Sequence, residues 1–93
     1  MSALRLRKRI TRWAVTLKVT PAQIRVQRMT HKWASCSSAG RVTFSRDLLA
    51  KPEAFQDCVI VHELLHLRIR NHGKLFVATL KAHLPDNPWI EKI

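Results

Sequence analysis

The first third of the chain repeats apolar residues at the spacing of a helix. Four of them lie three or four positions apart: Leu6, Ile10, Trp13 and Leu17. Basic residues fall largely between them, so one face is apolar and the other charged, which is the pattern of an amphipathic helix. We predict this helix over residues 3–18. Thr20-Pro21 favours an end soon afterwards, because the residue before a proline avoids helical backbone angles.

Two later segments alternate between apolar and polar residues, which is the period of a strand. The first is Gln23–Met29, and the second is Arg41–Ser45, in which Val42 and Phe44 share one face. A turn is predicted just before the second segment, where Gly40 is free to adopt a positive φ. We predict that the two segments pair as an antiparallel hairpin that packs against the helices.

Helices are predicted for the rest of the chain. There are three: residues 45–50, a long helix from Pro52 or Glu53 to Arg70, and residues 74–84. Residues 58–67 are apolar nearly all round, so we place the long helix at the centre of the fold. The prediction is one α+β domain in three parts: a basic amphipathic helix in residues 1–20, the hairpin and short helix in residues 21–50, and two helices in residues 51–93.

The charge balance is strongly basic. The 93 residues contain 17 Lys and Arg against 6 Asp and Glu, a formal net charge of +11. This excludes an acidic solvating protein and favours contact with anions such as nucleic acid, although it also serves simply to keep a small protein soluble. No apolar run approaches the roughly 20 residues of a membrane span, so no membrane partner is expected. Cys36 and Cys58 are too few for a disulfide framework, which predicts a reducing, cytoplasmic location.

The segment His62-Glu63-Leu64-Leu65-His66 holds the candidate chemistry. Residues four apart on a helix differ by about 40° around the axis and about 6 Å along it, so His62 and His66 can reach one metal ion. Glu63 is rotated about 100° from His62 and can instead hold a water molecule beside the ion. Burying two imidazoles and a carboxylate without partners would cost several kcal/mol, and a metal removes that cost.

A third ligand must come from beyond this helix, and His72 is our choice. On a continued helix its side chain would point about 120° away from His66, but the break at residues 71–73 lets the chain turn back. Three neutral ligands and one water form the open tetrahedral arrangement of catalytic zinc, so we predict one Zn²⁺ per chain. His31 and His83 are assigned to exposed or partly exposed positions.

Further blocks stand before and after the HExxH segment in a recognisable order. They are Trp33-Ala34-Ser35-Cys36-Ser37, Gly40-Arg41-Val42-Thr43-Phe44, Val59-Ile60-Val61, Asn71-His72-Gly73, Phe76 and Pro85. Together they resemble the YgjP-like metallopeptidase domain, a relative of SprT-like and other compact HExxH zincins. The resemblance extends over residues 31–84, and three positions depart from the family pattern: Ala34, Gly73 and Val77.

The resemblance implies that His62, His66 and His72 are zinc ligands and that Glu63 is the general base. It also implies a compact zincin-like α+β domain, in which the central HExxH helix packs with a short antiparallel β-sheet and flanking helices. An extended peptide would pair with Arg41–Ser45 as the edge strand above that helix. Three residues would flank the peptide: Trp33, Ser35 and Cys36. Core packing under the hairpin is the alternative role for Trp33 and Cys36, and we favour it for Cys36. Three others are open candidates for stabilising the oxyanion: His83, Arg41 and Arg46.

The function predicted from these observations is a zinc-dependent hydrolase, most simply a metallopeptidase that acts on a peptide or protein substrate. Glu63 would take a proton from the zinc water and deliver it to the leaving amine. Two alternatives stay open: a metal-dependent nucleotide phosphohydrolase, and a basic nucleic-acid-binding module with a structural metal. The sequence leaves the oligomeric state open.

Overall fold

Three α-helices, a short 3-10 helix and three strands make up residues 2–90, which are the residues that the structure, a computed structural model, describes. Their order is α1 (Ala3–Leu17), β1 (Gln23–Gln27), β2 (Ala34–Cys36), β3 (Arg41–Ser45), the 3-10 helix (Arg46–Ala50), α2 (Glu53–Leu65) and α3 (Lys74–His83). The ends of the predicted domain, residue 1 and residues 91–93, lie outside the described residues. The α+β class and the arrangement of helices around a small sheet are confirmed.

Helix α1 forms where the apolar spacing predicts it. The Ser2 hydroxyl accepts a hydrogen bond from the backbone N–H of Arg5, which satisfies one of the free donors of the first turn. The helix ends at Leu17, and its C-cap Lys18 has a left-handed φ of 58°, so the chain turns three residues before Pro21. The buried face consists of Leu6, Ile10, Ala14 and Leu17.

The sheet has the strand order β1-β3-β2, so β3 is central and the other two strands are edges. β1 pairs with β3 in parallel, and β2 pairs with β3 antiparallel. The predicted antiparallel pairing of the first two alternating segments is therefore wrong. The reason is β2, a three-residue strand that the pattern did not predict and that occupies the antiparallel place beside β3. Gly40, with a φ of +86°, allows the tight turn between these two strands.

Helix α2 is the centre of the core, as its apolar middle predicts. Seven of its apolar side chains are buried: Phe55, Cys58, Val59, Ile60, Val61, Leu64 and Leu65. The inner face of the sheet packs against them through Val42 and Phe44. The helix ends at Leu65 and not at Arg70, so the predicted end was five residues too late.

A polar network ties α1 to the start of α2. The Arg9 guanidinium donates to the Gln56 side-chain carbonyl and to the Asp57 carboxylate, which also accepts the indole N–H of Trp13 at 3.0 Å. The buried Gln56 amide in turn donates to the Leu48 carbonyl at 2.7 Å. Because each of these buried groups has a partner, the network positions α2 without leaving an unsatisfied polar atom.

Neither cysteine forms a disulfide, and the two side chains differ in how far they are buried. Cys36 on β2 is half-buried, and Cys58 on α2 is fully buried. Burial raises the pKa of the Cys58 thiol to about 11, with a smaller contribution from the neighbouring Asp57 charge. Within residues 2–90, no helix is long and apolar enough to cross a bilayer.

Candidate metal centre and active site

The chain reverses direction immediately after the HExxH segment. His66 is the C-cap of α2, and the Ile69 N–H donates to the Leu65 carbonyl at 2.8 Å in a tight turn. The Arg68 guanidinium donates to the Leu17 carbonyl at 3.0 Å and so attaches this turn to the end of α1. The turn therefore ends the helix earlier than the break at residues 71–73 predicts.

The reversal returns His72 to the face of α2 that carries the other two histidines. The Asn71 side-chain oxygen accepts the Gly73 N–H at 3.2 Å, and α3 begins at the next residue. The ring centroid of His72 lies 4.9 Å from that of His62 and 4.7 Å from that of His66. The three histidines singled out as candidate ligands are thus brought together in one cluster.

The donor atoms of His62, His66 and His72 suit a small divalent cation. One nitrogen from each ring lies within 4.8 Å of the other two. Tetrahedral zinc with bonds of about 2.0–2.1 Å holds its ligand nitrogens about 3.4 Å apart, which lies within the range of separations in this cluster. The Nε2 atoms of His66 and His72 are already 2.9 Å apart. Three imidazoles are also a donor set that zinc accepts readily.

Two contacts orient the rings. The Nδ1 atom of His66 lies 3.2 Å from the Ile69 carbonyl, and as a donor to that oxygen it leaves Nε2 with its lone pair towards the cluster. The Nδ1 atom of His62 lies 3.4 Å from the Glu63 carboxylate. The Glu63 side chain, which is 12% exposed, therefore lies next to one of the candidate ligands.

Phe76 on α3 forms the floor of the cluster. Its ring centroid lies 5.2 Å from that of His62, 4.8 Å from that of His66 and 4.9 Å from that of His72. With only 2% of its surface exposed, Phe76 is fixed in the core. The periodicity of α3 predicts that it is buried, but not that it supports all three imidazoles.

Burial of His66 affects its protonation. The pKa of this imidazole lies below its usual value, chiefly because burial disfavours the charged form and also because His62 and His72 are close. The Glu63 carboxylate opposes this shift. The lowered pKa favours the neutral imidazole, which is the form that binds a metal.

The edge strand beside α2 is β2 and not Arg41–Ser45, which is the central strand. The prediction that Arg41–Ser45 is the edge strand for a peptide is therefore wrong, and the free edge beside α2 belongs to β2. Cys36 on β2 is close enough to Glu63 for the carboxylate to raise the pKa of its thiol, an effect second to burial and opposed by Arg70. Arg70 is thus an arginine that the fold brings near Cys36, and nothing in the sequence pattern indicates it.

The three candidates for an oxyanion partner lie elsewhere. His83 contacts the Trp13 ring on α1, with centroids 6.5 Å apart. Arg41 is exposed on the outer face of the sheet, because its neighbour Val42 faces the core. Arg46 is exposed on the 3-10 helix. None of the three belongs to the histidine cluster.

A cavity of about 340 Å³ opens beside the cluster. His62 and His72 form one side of it, and its other walls are Phe76, Val77, Leu80, Lys81 and Ile90. The walls away from the histidines are mostly apolar. The cavity is therefore suited to an apolar side chain that lies next to the metal position.

Comparisons with known proteins agree with this geometry. A model of the YgjP-like metallopeptidase domain matches residues 2–92. The solved structure of the jannalysin metallopeptidase zymogen from Methanocaldococcus jannaschii is similar with a TM-score of 0.77 and 23% identity, over 94% of this chain and 90% of that one. The abylysin zymogen from Pyrococcus abyssi is similar with a TM-score of 0.73 and 19% identity, over 86% and 80%.

These two structures establish a shared fold. A comparison with curated proteins found no match. The family match supports proteolysis as the activity and implies a divalent metal and a peptide or protein substrate. Because that match extends over nearly the whole sequence, the chain belongs to the YgjP-like metallopeptidase-domain family.

Proposed function

We propose that the protein is a zinc-dependent metallopeptidase with one Zn²⁺ per chain, bound by His62, His66 and His72, and with Glu63 as general base. The single observation that carries this proposal is the cluster itself, in which nitrogens of three imidazoles lie within 4.8 Å of one another beside a mostly buried carboxylate. Three protein ligands leave a fourth position for water or substrate, which distinguishes a catalytic site from a closed structural one.

The chain's own residues have separate tasks in this mechanism. A zinc ion bound here supplies a Lewis acid that polarises the scissile carbonyl and lowers the pKa of water at the site. Glu63 accepts a proton from the attacking water and delivers it to the leaving amine. The Ile69 carbonyl holds the His66 ring by its Nδ1 atom, which keeps Nε2 directed at the metal position.

Two features support a peptide as the substrate. The outer edge of β2 leaves backbone N–H and C=O groups that an extended peptide can pair with, and this strand lies against α2. The cavity bounded by Val77, Leu80 and Ile90 can accept an apolar side chain adjacent to the scissile bond. An apolar cavity favours a peptide over a nucleotide, so the phosphohydrolase alternative is the weaker one.

Two unpaired thiols support the predicted cytoplasmic location.

The test is digestion of a mixed peptide library by zinc-loaded protein, read by mass spectrometry, with Glu63→Gln as the comparison. We expect cleavage by the wild type and a loss of about 10²–10⁴-fold in the variant, because general acid–base catalysis contributes that much. Metal analysis of both proteins accompanies the digest, and the variant should retain its zinc. Equal cleavage by a zinc-loaded Glu63→Gln protein would exclude Glu63 as the base.

A further inference from the structure

The net positive charge is confined to the first half of the sequence. Residues 1–46 contain eleven Lys and Arg and no Asp or Glu, while residues 47–93 contain six of each kind. The whole formal charge of +11 therefore belongs to α1, the sheet, the segments between them and Arg46, the first residue of the 3-10 helix. A surface that only served solubility would be expected to mix both signs along the chain.

The fold places these charges around one edge of the sheet. On α1, the side chains of Arg5 and Lys8 are exposed to solvent. The Arg7 guanidinium donates to the Ile24 carbonyl of β1 at 2.8 Å, so it lies where the helix meets the edge strand. The exposed side of α1 is thereby continuous with the edge of β1.

The outer face of the sheet continues the same charge. Ile24 and Val26 pack against the core, so the alternate residue Arg25 lies on the opposite, exposed face. Arg41 on β3 lies on that face as well, since it pairs with Gln23, two residues from Arg25. The residues on this face that accompany the two arginines are uncharged: Gln23, Gln27, Thr43 and Ser35.

Acidic groups do not neutralise these cations. Of the eleven basic residues in the first half, Arg9 alone makes an ion pair within the described part of the chain, with Asp57 and Glu53 of α2. The other ten make no ion pair with a described acidic group, although Arg12 lines a shallow pocket together with Asp57. Such an arrangement raises the local positive potential and disfavours the compact state, unless an anion binds there.

We propose that this surface binds the phosphate backbone of double-stranded nucleic acid. The basic surface is defined by seven residues: Arg5, Arg7, Lys8, Arg12, Arg25, Arg28 and Arg41. The Trp13 ring beside Arg12 already contacts Asp57 and His83, whereas proteins that bind single strands stack bases on free aromatic rings. Membrane binding is disfavoured, because the exposed apolar residues of α1 are Leu4 and Val15, which are separated by three helical turns.

The basic surface is distinct from the candidate metal centre. It extends from α1 across β1 to Arg41 on β3, whereas β2, at the opposite edge of the sheet from β1, packs against α2. Neighbouring strands are about 4.8 Å apart, so two strand spacings, or about 10 Å, separate the edges. A duplex bound along β1 leaves the histidine cluster open, and binding requires neither zinc nor Glu63.

The test is fluorescence anisotropy of a labelled DNA duplex of about two helical turns, titrated with the full metal-free chain at about 50–200 mM salt. Seven phosphate contacts, one for each residue of the basic surface, predict a slope of about −6 for log K against log salt. We expect Arg5→Glu/Lys8→Glu to lower affinity at least tenfold and to reduce the slope by about 2. Acidic residues near the start of α1 are also compatible with folding, because they interact favourably with the helix dipole.

The matched control is Arg70→Glu/Lys74→Glu, which changes the net charge equally in the second half of the chain. We expect it to change affinity less than threefold. Equal losses in both variants would overturn the proposal, since only net charge would then matter. Binding without salt dependence, or tight binding to anionic vesicles that the duplex does not compete for, would overturn it as well. Arg25→Gln/Arg41→Gln on the sheet provides a second test if the helix variant is unfolded by circular dichroism.

Discussion

The Nε2 atoms of His66 and His72 lie 2.9 Å apart, although the end of a helix and a chain reversal separate the two residues. Two neutral nitrogens at this distance share one proton, and a cation can replace that proton. The contact is made possible by the turn that Arg68 attaches to the Leu17 carbonyl. The metal centre that we propose therefore depends on the packing of α1 against the turn as well as on the HExxH spacing.

The apo protein should lose stability in acid through His66. Because burial lowers the pKa of His66, the folded chain takes up this proton less readily than the unfolded chain, whose imidazole titrates near 6.5. The unfolded state then binds more protons below about pH 6.5, so the free energy of unfolding falls as the pH falls through that value. The measurement is the Tm in EDTA at about pH 7 and pH 5.

The matched variants for this pH experiment are His66→Gln and His31→Gln. His31 is exposed, so its replacement should leave the acid loss of Tm unchanged. His66→Gln should show a smaller loss than the wild type. An identical loss in all three proteins would mean that His66 is not the group responsible.

Much of the fold could be predicted from apolar periodicity. The spacing of Leu6 and Ile10 predicts α1 and its buried face, and the apolar middle of α2 predicts its central place. Strand alternation identified which face of β3 is buried but contains no information on direction, so the parallel pairing of β1 was missed. β2 has only three residues, which is too few for alternation to indicate a strand.

The candidate site, like the fold, could be predicted from the sequence only where it depends on local geometry. The proximity of His62 and His66 follows from helix geometry alone. The place of His72 depends on long-range contacts of the turn, such as that of Arg68, which no local pattern reveals. Phe76 and Arg70 were missed for the same reason, since their neighbours at the site are distant in sequence or lie across a turn.

Phe76 should affect metal affinity more than a comparable core residue. Phe76→Leu removes a ring that supports three imidazoles, so we expect about tenfold weaker zinc binding together with a modest loss of about 1 kcal/mol in stability. Phe76→Ala should cost about 3–5 kcal/mol. Zinc titration and urea unfolding give the two quantities.

Phe55→Leu is the control for this experiment. Phe55 is also buried, but its ring contacts Trp33 and Trp89 at 5.1 Å and no histidine of the cluster. We expect a similar loss of stability with zinc affinity unchanged. If both leucine variants bind zinc alike, Phe76 supports the fold but not the metal centre.

Filling the cavity beside the cluster should narrow the substrate preference. Val77→Trp places an indole in a space of about 340 Å³ next to His62 and His72. The kcat/KM for peptides with large apolar side chains at the cleavage site should then fall at least tenfold. The kcat/KM for peptides with alanine or glycine at that position should stay unchanged. Leu75→Trp, at an exposed position on the same helix, should leave the preference unchanged. Unaltered preference in Val77→Trp would exclude the cavity as a substrate pocket.

The two thiols should react at very different rates. Cys58 is fully buried and its pKa is about 11, so a disulfide reagent at about pH 8 should label it only after unfolding. Cys36 should react in the native, metal-free protein. Because the Glu63 carboxylate raises the pKa of Cys36, Glu63→Gln should accelerate its labelling. Labelling at the same rate in both proteins would place Cys36 beyond the influence of Glu63.

The most direct test of the three-histidine centre is the zinc content and affinity of untagged wild-type protein beside His72→Ala, with His31→Ala as the matched control. We expect about one zinc per chain in the wild type and the control, and zinc binding weakened by at least a hundredfold in His72→Ala, because a ligand is lost. No zinc in the wild type after titration, or equal affinity in all three proteins, would contradict the account.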